Sequence, residues 1–211
     1  MNRKTAAGGI VVIAVFVCLL LLYTVPAFRQ DAELVTSTAV ARLGLHSHTP
    51  FPEVDAASLT PLQRKILAIA RDEYARHPVS FDATVLKYSQ GEKQAWCANF
   101  ISWTMKQAGA PYTNPHSKGW RIPGVFTLQE YYQSQHRYVK AGSYKPQPGD
   151  VAFYVHKSTF APLATEHVAL VVQSGGGTMT TLGGNEAGKM QINTRSIAPG
   201  THDLTGFGKL K

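Results

Sequence analysis

Between Thr5 and Phe28 the chain carries no charged residue, and the centre of that stretch, Ile10 to Val25 (IVVIAVFVCLLLLYTV), is almost wholly aliphatic. A run of this length is sufficient to cross a bilayer as a helix. Arg3, Lys4 and the terminal amine precede it. Such charges favour an amino end held in the cytoplasm, which sends everything after Phe28 to the other side. Val25-Pro26-Ala27 offers small residues where a signal peptidase cuts, so a cleaved signal peptide is the second reading of the same segment. Both readings export the rest of the chain. Cys18 has Val17 and Leu19 beside it rather than the small neighbours of a lipidation site, and reads as one more apolar residue of the run.

A chain of 211 residues with residues 1–28 set aside has room for one domain of roughly 150 residues, large enough to bury a proper core. Residues 29–57 mix Ser, Thr, His, Pro and single charges without periodicity and read as a linker, which leaves 58–211 as the folded domain. The net charge of +8 is not gathered into a Lys/Arg run or a basic helix. A generally basic surface therefore suits an anionic cell envelope better than nucleic acid, and no nucleic-acid partner is expected.

Local signals then divide the domain. Thr60, Pro61 and Gln63 make a Thr-x-x-Gln capping box with proline in the first turn, and Leu62, Ile66, Ile69 and Tyr74 recur at helical spacing up to Pro78. AWCANFISWTMKQAG (Ala95 to Gly109) predicts a second helix closed by Gly109, central and mostly buried. A loop from Ala110 to Gly124 and a short helix near Thr127 to Gln135 follow. From Lys145 the period changes: VAFYV, HVALVV, TMTTL, MQINT and GFGKL are strand-like runs separated by turn residues. Helices first and an antiparallel meander second predict an α+β domain.

Beyond the apolar run Cys97 is the only cysteine, and a lone thiol in an oxidising compartment is a liability unless buried or used. It falls in the first turn of the central helix, where exposed N–H groups and the positive dipole end favour a thiolate. His167 stands at the start of an apolar strand that can pack on that helix and bring a base to the sulfur. Asn185, in the LGGNE turn after the next strand, can lie beside His167 and accept its second N–H. Taken singly, each has a plain structural reading: a buried thiol, a strand-end histidine bonded to backbone, and a turn residue.

In combination, WCANFISW, QPGDVAFY, EHVALVV and LGGNE, in that order, resemble the CHAP family, the cysteine, histidine-dependent amidohydrolases/peptidases of the papain-like NlpC-type superfamily. The resemblance runs from about Ala95 to the carboxyl end. It implies a papain-like fold, cleavage of amide bonds in bacterial peptidoglycan or its peptide stems, no metal or organic cofactor, and a site of Cys97 as nucleophile, His167 as base and Asn185 as third member. Asp150 in the Pro-Gly-Asp turn is a shaping residue on the same comparison. Many CHAP domains have a glutamate two positions before the asparagine; that position here is Gly183, so a carboxylate would have to come from Glu166 or Glu186. The Cys97 N–H is one expected oxyanion donor, with Gln94 or Gln90 as the second.

Rival readings are a zinc hydrolase, a silent envelope-binding module of the same fold, and a transpeptidase that passes the acyl group to an amine. His46 and His48 are the only close histidine pair, lie in the linker, and belong to no His-Glu-x-x-His arrangement.

Overall fold

Thr60 caps the first long helix, α1 (Pro61–Ala75): its side chain accepts the Gln63 N–H, and the Gln63 side chain accepts the Thr60 N–H, completing the box with Pro61 at the first position. The helix turns Ile66, Leu67, Ala70 and Tyr74 inward. A short α2 (Ala83–Leu86) starts at Asp82, whose carboxylate takes the Thr84 N–H. The central helix, α3 (Cys97–Ala108), ends at Gly109 in the left-handed conformation, φ 86°. Helix α4 (Val125–Ser134) is the last. These observations come from a computed structural model that describes residues 49–80, 82–156 and 165–210. The apolar run at 1–28 and the linker as far as His48 lie outside the described residues, and no described helix is long and apolar enough to cross a membrane.

After the helices come β1 (Tyr138–Lys140), β2 (Val151–His156), β3 (Thr165–Gly175), β4 (Thr178–Glu186), β5 (Lys189–Ser196) and β6 (Leu204–Gly208). They form one six-stranded sheet in the order β1-β6-β2-β3-β4-β5, antiparallel at every pairing. The fold is thus α+β, with α3 packed against α1 on one side and against β3 and β4 on the other. Strand alternation splits the apolar residues between two clusters. Phe153, Val168, Leu170, Val172 and Leu182 join the helices; Ala152, Tyr154, Ala169, Val171 and Phe207 make a second cluster on the opposite face.

Two parts of the sequence reading change. Packing begins before the expected start at residue 58, because Phe51 and Val54 lie against the core, Arg71 sits 5.2 Å over the Phe51 ring, and the Tyr74 hydroxyl donates to the Thr49 carbonyl. The segment LGGNE is not a turn after a strand but the last part of β4 itself. Its two-residue turn is Ala187-Gly188, both at positive φ (48° and 75°), as a tight hairpin requires. Asp150 is a buried structural hub: its carboxylate accepts the N–H groups of Gln147 and Leu210 and the Tyr144 hydroxyl, joining the turn before β2 to the end of the chain.

Candidate active site

Trp96 is the cap residue of α3 and makes no side-chain cap bond, so the first N–H groups of that helix are not taken by a capping side chain. Its indole is buried and stacks on Tyr88 at 5.8 Å. That anchor holds the next residue, Cys97, at the helix start with 6% of its surface exposed. His167 comes toward it from the beginning of β3, and Cys97 is among the groups that raise its imidazole. The ring also lies beside Tyr154, its cross-strand partner on β2, with centroids 6.1 Å apart.

One ring nitrogen meets a carboxylate. His167 Nε2 is 3.2 Å from Glu186 Oε1, close enough for Glu186 to accept an Nε2–H. Glu186 is itself held by β5: Asn193 Nδ2 donates to its Oε2, and Arg195 Nη2 lies 3.8 Å from the same atom. Burial opposes a charge on His167, but the hydrogen bonds and charges of Cys97 and Glu186 together outweigh it and raise the imidazole from 6.5 to about 9. Beside the ring opens a cavity of about 360 Å³ lined in part by Tyr154, Glu166, Glu186 and Arg195. Glu166, the other carboxylate considered from sequence, also lines this cavity; burial pushes its carboxyl up, against the opposing effect of the Phe126 N–H at the start of α4.

Asn185 lines the same cavity, but its described hydrogen bond runs the other way. Its Oδ1 accepts from Ser80 Oγ at 3.3 Å. The cause is a bulge. The β3–β4 register pairs Ala169 with Gly183, and continued regularly it would set Asn185 opposite His167. Between Gly183 and Glu186, however, the pairing with β5 advances three residues on β4 for two on β5, from Gly183↔Gln191 to Glu186↔Lys189. In a regular strand residues three apart point to opposite faces; the extra residue cancels that alternation and returns Glu186 to the face of Gly183. Asn185 absorbs the distortion at φ 63°. A Cβ on Gly183 would stand 1.8 Å from Glu186 Oε1 and 2.9 Å from His167 Nε2. The carboxylate missing at position 183 is therefore supplied from position 186, through the space that the glycine leaves open.

Of the two glutamines considered for the oxyanion, Gln90 is exposed, whereas Gln94 carries a buried Nε2 with no hydrogen-bond partner among the described residues. A buried unpaired donor costs about 1–3 kcal/mol. It precedes Cys97 by three residues.

A thiol at a helix start, facing an imidazole that a carboxylate orients, is the arrangement of a cysteine–histidine site on an α+β fold. Residues 88–185 match the family model of the CHAP domain, the family that the motifs of the sequence resemble. Domains of that family are typically amidase or peptidase hydrolases, which makes a peptidoglycan-hydrolase-like function the broad reading. No curated protein matches the chain. The family match ends at Asn185, so Glu186, Asn193 and Arg195 all lie beyond it.

Proposed function

We propose that the protein is an extracytoplasmic cysteine amidohydrolase or endopeptidase of papain-like fold that cleaves amide bonds of peptidoglycan through a thioester on Cys97. The observation that carries this reading is the Cys97–His167–Glu186 arrangement. His167 takes the proton from the Cys97 thiol, and the sulfur attacks a substrate amide carbonyl. The tetrahedral intermediate collapses as His167 returns that proton to the leaving amine. A thioester remains. Water, deprotonated by His167, attacks it and releases the acid and the free thiol. Glu186 holds the ring by its Nε2–H and stabilises the imidazolium in both halves of the cycle. The Cys97 N–H and the Gln94 side-chain amide supply the oxyanion donors, the second on the ground that its N–H is buried and otherwise unused.

Export is supported by Arg3 and Lys4 before the apolar run, whether residues 1–28 remain as an anchor or are cleaved. Protease added to intact spheroplasts is expected to remove the domain; a domain digested only after lysis excludes export. For the activity itself, the full chain in detergent is incubated with purified peptidoglycan and the released fragments are weighed by mass spectrometry. Fragments gaining one water at an amide bond, lost after iodoacetamide and unaffected by a chelator, are the expected result. Amine-linked products indicate acyl transfer, and no release of any kind leaves an envelope-binding module.

A further inference from the structure

Glu186 reaches His167 only because β4 carries one extra residue, so whatever holds the bulge holds the site. Three observations converge on Ser80. Its backbone N–H donates to the Gly188 carbonyl in the β4–β5 turn at 2.6 Å, and its neighbour Val79 bridges Lys189. Its hydroxyl accepts from Trp96 Nε1 at 2.9 Å and donates to Asn185 Oδ1 at 3.3 Å. The Trp96 ring lies so close to the bulge that a Cβ on Gly184 would stand 2.5 Å from Cζ3. One hydroxyl thus joins the residue before Cys97 to the residue before Glu186.

We propose that Ser80 and Asn185 form a latch on the β4 bulge, and that both are positioning residues that act on the reaction through Glu186. Asn185 has two parts in it. Asparagine tolerates the left-handed backbone that the bulge needs, which a β-branched residue does not. Its side-chain oxygen, turned from His167 to Ser80, ties that backbone to the segment that also steadies the nucleophile's helix. Ser80 lies outside the residues that the family model matches.

The latch is tested in the full chain, with turnover measured beside the titration of the His167 imidazole by nuclear magnetic resonance and the signal assigned by its loss in His167→Gln. Asn185→Gly keeps the backbone conformation and loses only the bond to Ser80. Its effect on kcat should therefore equal that of Ser80→Ala, roughly two- to tenfold with KM little changed. The double variant should be no worse than either single one, because both remove the same bond. Ser80→Thr keeps the hydroxyl and should restore kcat. Asn185→Val should cost more than either and bring the His167 titration down from about 9 toward 6.5, as the carboxylate leaves the ring. The inference is overturned if Ser80→Ala changes neither kcat nor the titration, or if Asn185→Gly costs far more than Ser80→Ala, which would mean that the amide works on the ring directly. It rests on the hydrolase reading only for its kinetic arm: a wild-type protein without turnover refutes that reading, and the His167 titration still decides the latch.

Discussion

Cys97 enters the site from the start of α3, whereas His167 and Glu186 enter from the ends of β3 and β4. The helical wall follows rules that act within a few residues: an uncapped amino end, a buried indole before the thiol, and Gly109 closing the helix at φ 86°. The strand wall depends on a register shift set by contacts between β4 and β5 and by Ser80, 105 residues before Asn185. A local device places the thiol, and a tertiary one places the carboxylate beside the imidazole. The two walls should accordingly fail in different ways.

The largest effect comes from the pair that joins the walls. Cys97→Ala and His167→Ala should each remove nearly all peptidoglycan cleavage, and the double variant should be little worse, since the two side chains act as a unit. Release of fragments by a folded Cys97→Ala protein would break the reading outright. On the helical wall, Gln94→Ala should lower kcat by roughly 100- to 1,000-fold, the usual cost of one oxyanion donor. An unchanged kcat there assigns the second donor to some other group.

On the strand wall, Glu186→Ala should cost on the order of 10- to 100-fold, or about 1.4 to 2.7 kcal/mol of transition-state stabilisation. Gly183→Ala sharpens the comparison, because its added methyl occupies the position now filled by the Glu186 carboxylate. That carboxylate is the end of a flexible side chain and can swing aside, so the melt should barely move while kcat falls as far as in Glu186→Ala. A Gly183→Ala protein with full activity would show that the carboxylate does not need that place.

The smallest expected effect is on stability against pH. The folded His167 lies above its ordinary value, so its contribution is complete below about 6.5 and is lost as pH rises through about 9. Thermal melts of the wild type should therefore fall across that interval more than those of Glu186→Gln, in which one cause of the upward shift is gone. Parallel curves for the two proteins would show that Glu186 adds nothing to the charged imidazole.

Much of this protein is written in short stretches of sequence. The Thr60–Gln63 box, the α3 boundaries within two residues, and the five strand runs from VAFYV onward can be read because capping, helical period and strand alternation are local physical effects. β1 and α2 could not, being three and four residues long and held by their neighbours rather than by a pattern of their own.

The site divides along the same line. From sequence alone, Cys97 at a helix start and His167 at a strand start are determined, as is the absence of a carboxylate at Gly183. Only the tertiary structure shows Glu186 hydrogen-bonded to the imidazole and the Asn185 side-chain oxygen bonded to Ser80. A strand's side chains alternate strictly until one extra residue intervenes, and nothing in LGGNE announces that residue. It becomes visible where Gly183 pairs with Gln191 and Glu186 with Lys189, because only the partner strand counts the difference.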